Sequence, residues 1–150
     1  QISKPESVAD HSYMMSVMAM VLSDMKNMNT EKIIKMSILH DWAESKIGDF
    51  MPNEIKIEEK NELEEKAMVE ILNVLPNNIK ENYYAIWEDY TNNVSTESRF
   101  VHELDKLEMA LQAKIYEKSD KSKNIKPFIT SAVDSITDND LKKILSQIIQ

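Results

Sequence analysis

The stretch Ile38-Leu39-His40-Asp41-Trp42-Ala43-Glu44 sets an imidazole, an adjacent carboxylate and a second carboxylate one turn later inside an otherwise apolar pattern. On a helix His40 and Glu44 share a face, and Asp41 sits about 100° round from His40. Divalent first-row metals take imidazole and carboxylate ligands, and in a helical bundle such ligands converge from several helices. His11 lies on a second apolar stripe, with Met15 and Met18. A lone histidine on an apolar face is more often a satisfied core residue than a ligand. Two of them on core stripes, one followed by Asp, shift the balance toward a metal. A fourth ligand would then be a carboxylate from a third helix. Asp105, flanked by Leu104 and Leu107, is the best candidate, because a buried unpaired carboxylate is costly. An ion pair with Lys106 or His102 would explain it equally.

Glu44 has a different use. A carboxylate near a metal but not on it can take the proton from a water whose pKa the metal lowers toward about 7. As a surface residue it would instead pair with Lys46 or Lys35. Asp49, directly after Gly48, is otherwise a simple turn residue. His102 has no partner motif and is read as structural. Trp87-Glu88-Asp89-Tyr90 could form a pocket wall against a base, although aromatics at helical spacing are more often core.

These residues need helices to position them. Pro5-Glu6 suits a first helical turn, after which Val8, His11, Met15, Met18, Leu22 and Met25 repeat on one face. Asn29 or Thr30 caps a second helix whose inner stripe is Ile33, Met36, His40, Ala43 and Ile47, with Gly48 as its left-handed C-terminal cap. A charged third helix, about 54 to 75, reads as a solvated amphipathic segment. A fourth, about 78 to 91, holds Tyr83, Ile86, Trp87 and Tyr90. A fifth, about 96 to 118, buries Phe100, Leu104, Leu107, Leu111 and Ile115. Two short ones follow, about 127 to 135 and about 138 to 149. The expectation is one all-α domain of about six to seven helices, without internal repeats.

Bulk composition agrees. The 150 residues include one Gly, four Pro and no Cys, and 29% are charged. That favours a helical globular domain over a turn-rich β architecture, and it excludes disulfides, thiolate metal sites and cysteine nucleophiles. A net charge of −8 speaks against nucleic-acid backbone as a partner. Arg99 is the single arginine, so a phosphate must be held by Lys, backbone amides or a metal. No apolar run approaches the roughly 20 residues of a membrane span, and the polar opening Gln1-Ile2-Ser3-Lys4-Pro5 is not a signal peptide, which makes cytoplasmic the default. The absent initiator Met suggests that the chain begins inside a longer one.

Pro5-Glu6-Ser7-Val8-Ala9-Asp10-His11-Ser12, Leu39-His40-Asp41-Trp42-Ala43-Glu44, Ile47-Gly48-Asp49 and Leu104-Asp105-Lys106-Leu107-Glu108-Met109 together resemble the HD-domain phosphohydrolases, in particular the branch containing 5′-deoxynucleotidases. The resemblance runs from residue 5 to about 116. It implies that His11, His40, Asp41 and Asp105 hold one divalent ion. Cobalt or manganese is the first expectation, and magnesium, zinc or nickel are alternatives. It also implies that Glu44 assists the attacking water and that Asp49 contacts the substrate sugar or positions that water. Family members hydrolyse deoxynucleoside 5′-monophosphates to nucleoside and phosphate, and often form homodimers. They also carry an Arg-Trp segment upstream of the first His, for phosphate binding and 2′-deoxyribose preference; neither residue is among the ten before His11. Lys106, beside Asp105, is a candidate cation for the phosphate.

The reading is therefore a metal-dependent nucleotide phosphomonoesterase. Its rivals are a phosphodiesterase or nucleoside-triphosphate hydrolase of the same superfamily, and a non-catalytic, metal-stabilised helical interaction module.

Overall fold

The computed structural model describes residues 5–48, 50, 54–122 and 124–150. Its described residues form helices α1 (Val8–Met25), α2 (Thr30–Leu39), α3 (Glu44–Ile47), α4 (Ile57–Leu72), α5 (Asn77–Asn92), α6 (Thr96–Ser119), α7 (Lys126–Ser135) and α8 (Asn139–Ile148), with no strand among them.

Local chemistry sets the helix ends. Ser7 and Asp10 form a capping box, each side chain satisfying a backbone donor near the start of α1. Asn29 accepts from Lys32 N, Ser95 from Ser98 N, and Asp138 from Asp140 N and Leu141 N. Gly48 adopts φ 84° and ψ 161°, so its positive φ was expected but its ψ lies in the extended mirror region rather than the left-handed helical one.

The second expected helix is split. From Leu39 onward the backbone bonds tighten: Trp42 N reaches Leu39 O at 3.2 Å and Glu44 N reaches Asp41 O at 3.0 Å, three residues back rather than four. The dihedrals at His40 and Ala43 stay in the right-handed helical region, so no breaker residue marks the change.

Long α6 is the centre of the packing and touches α1, α2, α5, α7 and α8. The main core gathers Met15, Ile33, Met36, Leu104, Leu107 and Leu141, all without exposed surface. A smaller cluster of Met68, Leu72 and Trp87 joins α4 to α5, with Trp42 and Tyr83 at its edge. Two stripe assignments need correction. Met25 and Ile115 point to solvent, and the buried rows run through Ala19 and Ser23 on α1 and through Ala110 and Ala113 on α6. Small residues there let α1, α6 and their neighbours approach closely. Asp89 ties three elements together: it accepts from Ser95 N at 2.9 Å and Ser95 Oγ at 2.7 Å, and pairs with Lys32 Nζ at 2.7 Å.

Candidate metal centre

Four side chains from three places in the chain converge. α1 carries His11, the tight turn after α2 carries His40 and Asp41, and α6 carries Asp105. His11 Nε2 lies 3.4 Å from Asp105 Oδ1 and 3.8 Å from Asp41 Oδ2. His40 Nε2 lies 3.1 Å from Asp41 Oδ2, and the two imidazole rings are 5.4 Å apart. One ligand atom from each of His11, His40 and Asp105 fits within 4.8 Å of the others.

Both rings are oriented through Nδ1. His11 Nδ1 meets Glu108 Oε2 at 2.6 Å, and His40 Nδ1 meets Ser37 O at 2.8 Å. Carboxylate and carbonyl oxygens accept only, so each Nδ1 carries a proton and each Nε2 is the atom left facing inward, able to coordinate once it is unprotonated. His40 Nε2 is fully buried and makes no hydrogen bond: the nearby Asp41 oxygen does not meet hydrogen-bond geometry. A buried imidazole nitrogen without a hydrogen bond beside a carboxylate oxygen is costly unless a proton or a metal cation is shared between them. The donor set of two imidazoles and two carboxylates fits a divalent first-row ion, with Glu108 and Ser37 as the outer partners that hold the ligands in place.

Electrostatics point the same way. Burial opposes a charged His11, but hydrogen bonds and charge from Asp105 and Glu108 override it and raise its pKa to about 10. Burial likewise opposes a charged His40, and Asp41 and Asp105 more than offset it. Asp105 is nearly buried, yet His11 and Lys106 hold its carboxyl well below the usual range. A cluster that gathers protons this strongly is one where a metal would replace them. On the far side of His11, burial and then the charge of Glu108 raise the Glu6 carboxyl to about 7.

Glu44 opens α3 one turn past Asp41, and its side chain is mostly buried. Its cation is neither of the two expected. Lys46 pairs with Glu70 and Lys35 with Glu31, whereas Lys60 reaches in from α4 to Glu44 Oε1 at 3.2 Å and to Glu64 Oε1 at 3.2 Å. The charged third helix is therefore not wholly solvated; one of its faces adjoins the site. Lys106 Nζ bonds Asp105 Oδ2 at 2.9 Å. His102 takes no part in that pair; its Nε2 lies 2.9 Å from Tyr90 O. The Tyr90 ring stacks on His102 at 4.0 Å and stands edge-on to His40 at 5.4 Å, so the aromatic segment does reach the cluster. Burial and then the charges of Asp105, Asp41, Glu64 and Glu44 keep its phenol protonated. Asp49 lies outside the described residues.

Glu108 and Lys60 had no assigned role in the sequence reading, and Tyr90 entered it only as part of a segment that could form a pocket wall. The buried Glu at 108, three past Asp105 on the inner stripe of α6, was the one local signal available. Nothing near Lys60 distinguished it from the charges around it.

The HD domain family profile matches residues 1–149. The chain is 44% identical over 122 residues to 5′-deoxynucleotidase HDDC2 of Xenopus laevis, covering 81% of this chain and 60% of that protein. It is 38% identical over 149 residues to 5′-deoxynucleotidase HDDC2 of Mus musculus, covering 98% of this chain and 74% of that one. A conserved hypothetical protein of Pyrococcus furiosus superposes with a TM-score of 0.79 at 30% identity, over 98% of this chain and 85% of that chain.

Proposed function

This chain belongs to the HD domain family, and on that premise we propose that it is a metal-dependent phosphohydrolase that removes the 5′-phosphate from deoxynucleoside monophosphates. The observation that carries the proposal is the buried, unbonded His40 Nε2, turned toward Asp41, His11 and Asp105 with Glu44 one turn away. The names of the relatives support the substrate class.

In this reading His11, His40, Asp41 and Asp105 hold one divalent ion, cobalt or manganese before magnesium, zinc or nickel. When bound, such an ion supplies positive charge for phosphoryl oxygens and acidifies a water. Glu44 takes a proton from the attacking water as its oxygen bonds to phosphorus. The phosphorus–O5′ bond breaks, and the leaving nucleoside oxygen takes up the proton that Glu44 accepted, giving nucleoside and inorganic phosphate and restoring the Glu44 carboxylate. Lys106 lies beside the ligand set and offers a cation to the phosphate, and Asp49 is assigned to the sugar or the water. The low-dielectric setting around His40 strengthens each of these contacts.

The proposal extends to a cytoplasmic homodimer. No helix among the described residues is long and apolar enough to cross a membrane. An apolar strip on α1, formed by Tyr13, Val17, Met20 and Val21, is exposed and could be shared between copies; light scattering on the purified protein tests it. The function is tested with a panel of deoxy- and ribonucleoside monophosphates and with bis-p-nitrophenyl phosphate. Preferential release from deoxynucleoside monophosphates is expected, whereas cleavage of the diester alone would replace the proposal with a phosphodiesterase.

A further inference from the structure

Lys60 reaches from α4 to the proposed water-activating residue. Its ammonium is shared between Glu44 and Glu64 at 3.2 Å each, and about a quarter of the side chain is exposed. Glu44 is one backbone hydrogen bond beyond Asp41, so this three-residue cluster adjoins the ligand set directly. Tyr90 links the two groups, because its ring lies against His40 while Glu44 and Glu64 act on its phenol together with Asp41 and Asp105.

The charge balance here is unusual for a site that must accept a phosphate dianion. Glu44, Glu64 and Asp105 share two lysines, Lys60 and Lys106, while Asp41 faces the two imidazoles. The arginine is otherwise engaged, its guanidinium donating to Val94 O and Thr96 Oγ1. Lys106 cannot turn to a phosphate without leaving Asp105, a proposed ligand. Lys60 holds no ligand, and its flexible four-carbon stem lets the ammonium swing between acceptors. A dianionic phosphate outcompetes a single carboxylate for such a cation.

Resting on the phosphohydrolase reading above, we propose that Lys60 is the principal lysine contact of the substrate phosphate and that it moves from Glu44 and Glu64 to that phosphate on binding. Lys60 then does two things. It holds the phosphate, and its departure removes a cation that competes for the carboxylate Glu44 needs for proton transfer. Glu64 is the holding group that keeps the ammonium nearby in the substrate-free protein.

The test uses the full chain loaded with manganese, deoxynucleoside monophosphates as substrate and inorganic phosphate as product inhibitor. Lys60→Gln should raise both KM and the inhibition constant of phosphate by roughly tenfold or more, the scale of a lost charge-assisted contact. Bound metal should be unchanged, and Lys60→Arg should restore most of the phosphate affinity. Glu64→Gln, which weakens only the competitor, should lower the phosphate inhibition constant a few-fold. Wild-type KM and phosphate inhibition in Lys60→Gln would overturn the proposal while leaving the phosphohydrolase reading intact. Weaker phosphate inhibition in Glu64→Gln would also overturn it, even if Lys60→Gln failed to fold. No phosphate release by the wild-type protein from any monophosphate would remove both readings together.

Discussion

Glu108 accepts a 2.6 Å hydrogen bond from His11 Nδ1, and with 1% of its surface exposed it is the most deeply buried carboxylate at the site. The contact decides which ring nitrogen of His11 faces His40, Asp41 and Asp105. Without it the ring could rotate or take the other tautomer. Glu108→Gln keeps the shape but replaces the carboxyl acceptor with an amide that can turn its NH2 to the ring. Metal affinity should fall about 10- to 100-fold, measured by competition with a chromophoric chelator, while the helical circular dichroism stays near wild type. Undiminished affinity would remove Glu108 from the functional account.

Glu44→Ala should leave metal content unchanged and reduce kcat by about 10²- to 10⁴-fold, the usual contribution of a positioned general base. Metal analysis alongside steady-state kinetics separates this from loss of a ligand. A variant with wild-type turnover would show that another group takes the proton.

The pH dependence has a definite sign. In metal-free protein the His11 pKa is raised from 6.5 to about 10. A raised pKa contributes stability fully below the unfolded value, and that contribution is lost as pH rises through the folded one. The melting temperature of metal-free protein should therefore decline between about pH 7 and 10. Over the same interval metal affinity should rise, because each ligand nitrogen must be unprotonated to bind. Titration calorimetry in buffers of different ionisation enthalpy reads the protons released. Metal binding that displaces none would contradict the assignment of His11 as a ligand.

Asp89 is predicted to act on stability. It is mostly buried, ties α2, α5 and the start of α6, and has its pKa depressed to about 2: burial opposes this, while Lys32 and Ser95 outweigh the burial. Asp89→Ala removes a buried charge with three partners and should cost about 2–4 kcal/mol in urea unfolding. By the same linkage, the contribution is present above the ordinary carboxylate range and fades as pH falls through about 2.

How much of this could be read from the sequence follows from the range of each interaction. His40, Asp41 and Glu44 were legible because they lie within one turn of helix, where spacing alone fixes which side chains are neighbours. His11 and Asp105 were legible as polar residues interrupting apolar stripes. The helix caps at Ser95 and Asp138 were written locally too. Lys60 and Glu44 are sixteen residues apart, and His11 and Glu108 are ninety-seven. Only the packing of α1 on α6 and of α4 on α3 brings those pairs together. The tightened turn after Leu39 escaped for another reason. The dihedrals at His40 and Ala43 remain helical and the turn holds no Gly or Pro, so the apolar period continues through it unaltered.

The central claim is that this cluster hydrolyses phosphate monoesters with a bound divalent ion. The most direct measurement is phosphate release from a deoxynucleoside monophosphate by metal-stripped protein as cobalt or manganese is added back, with Asp41→Ala run in parallel. Release that rises with metal, saturates near one ion per chain and is absent in Asp41→Ala is the predicted result. Metal binding at the same stoichiometry with no release from any monophosphate would contradict it and leave a metal-stabilised helical module.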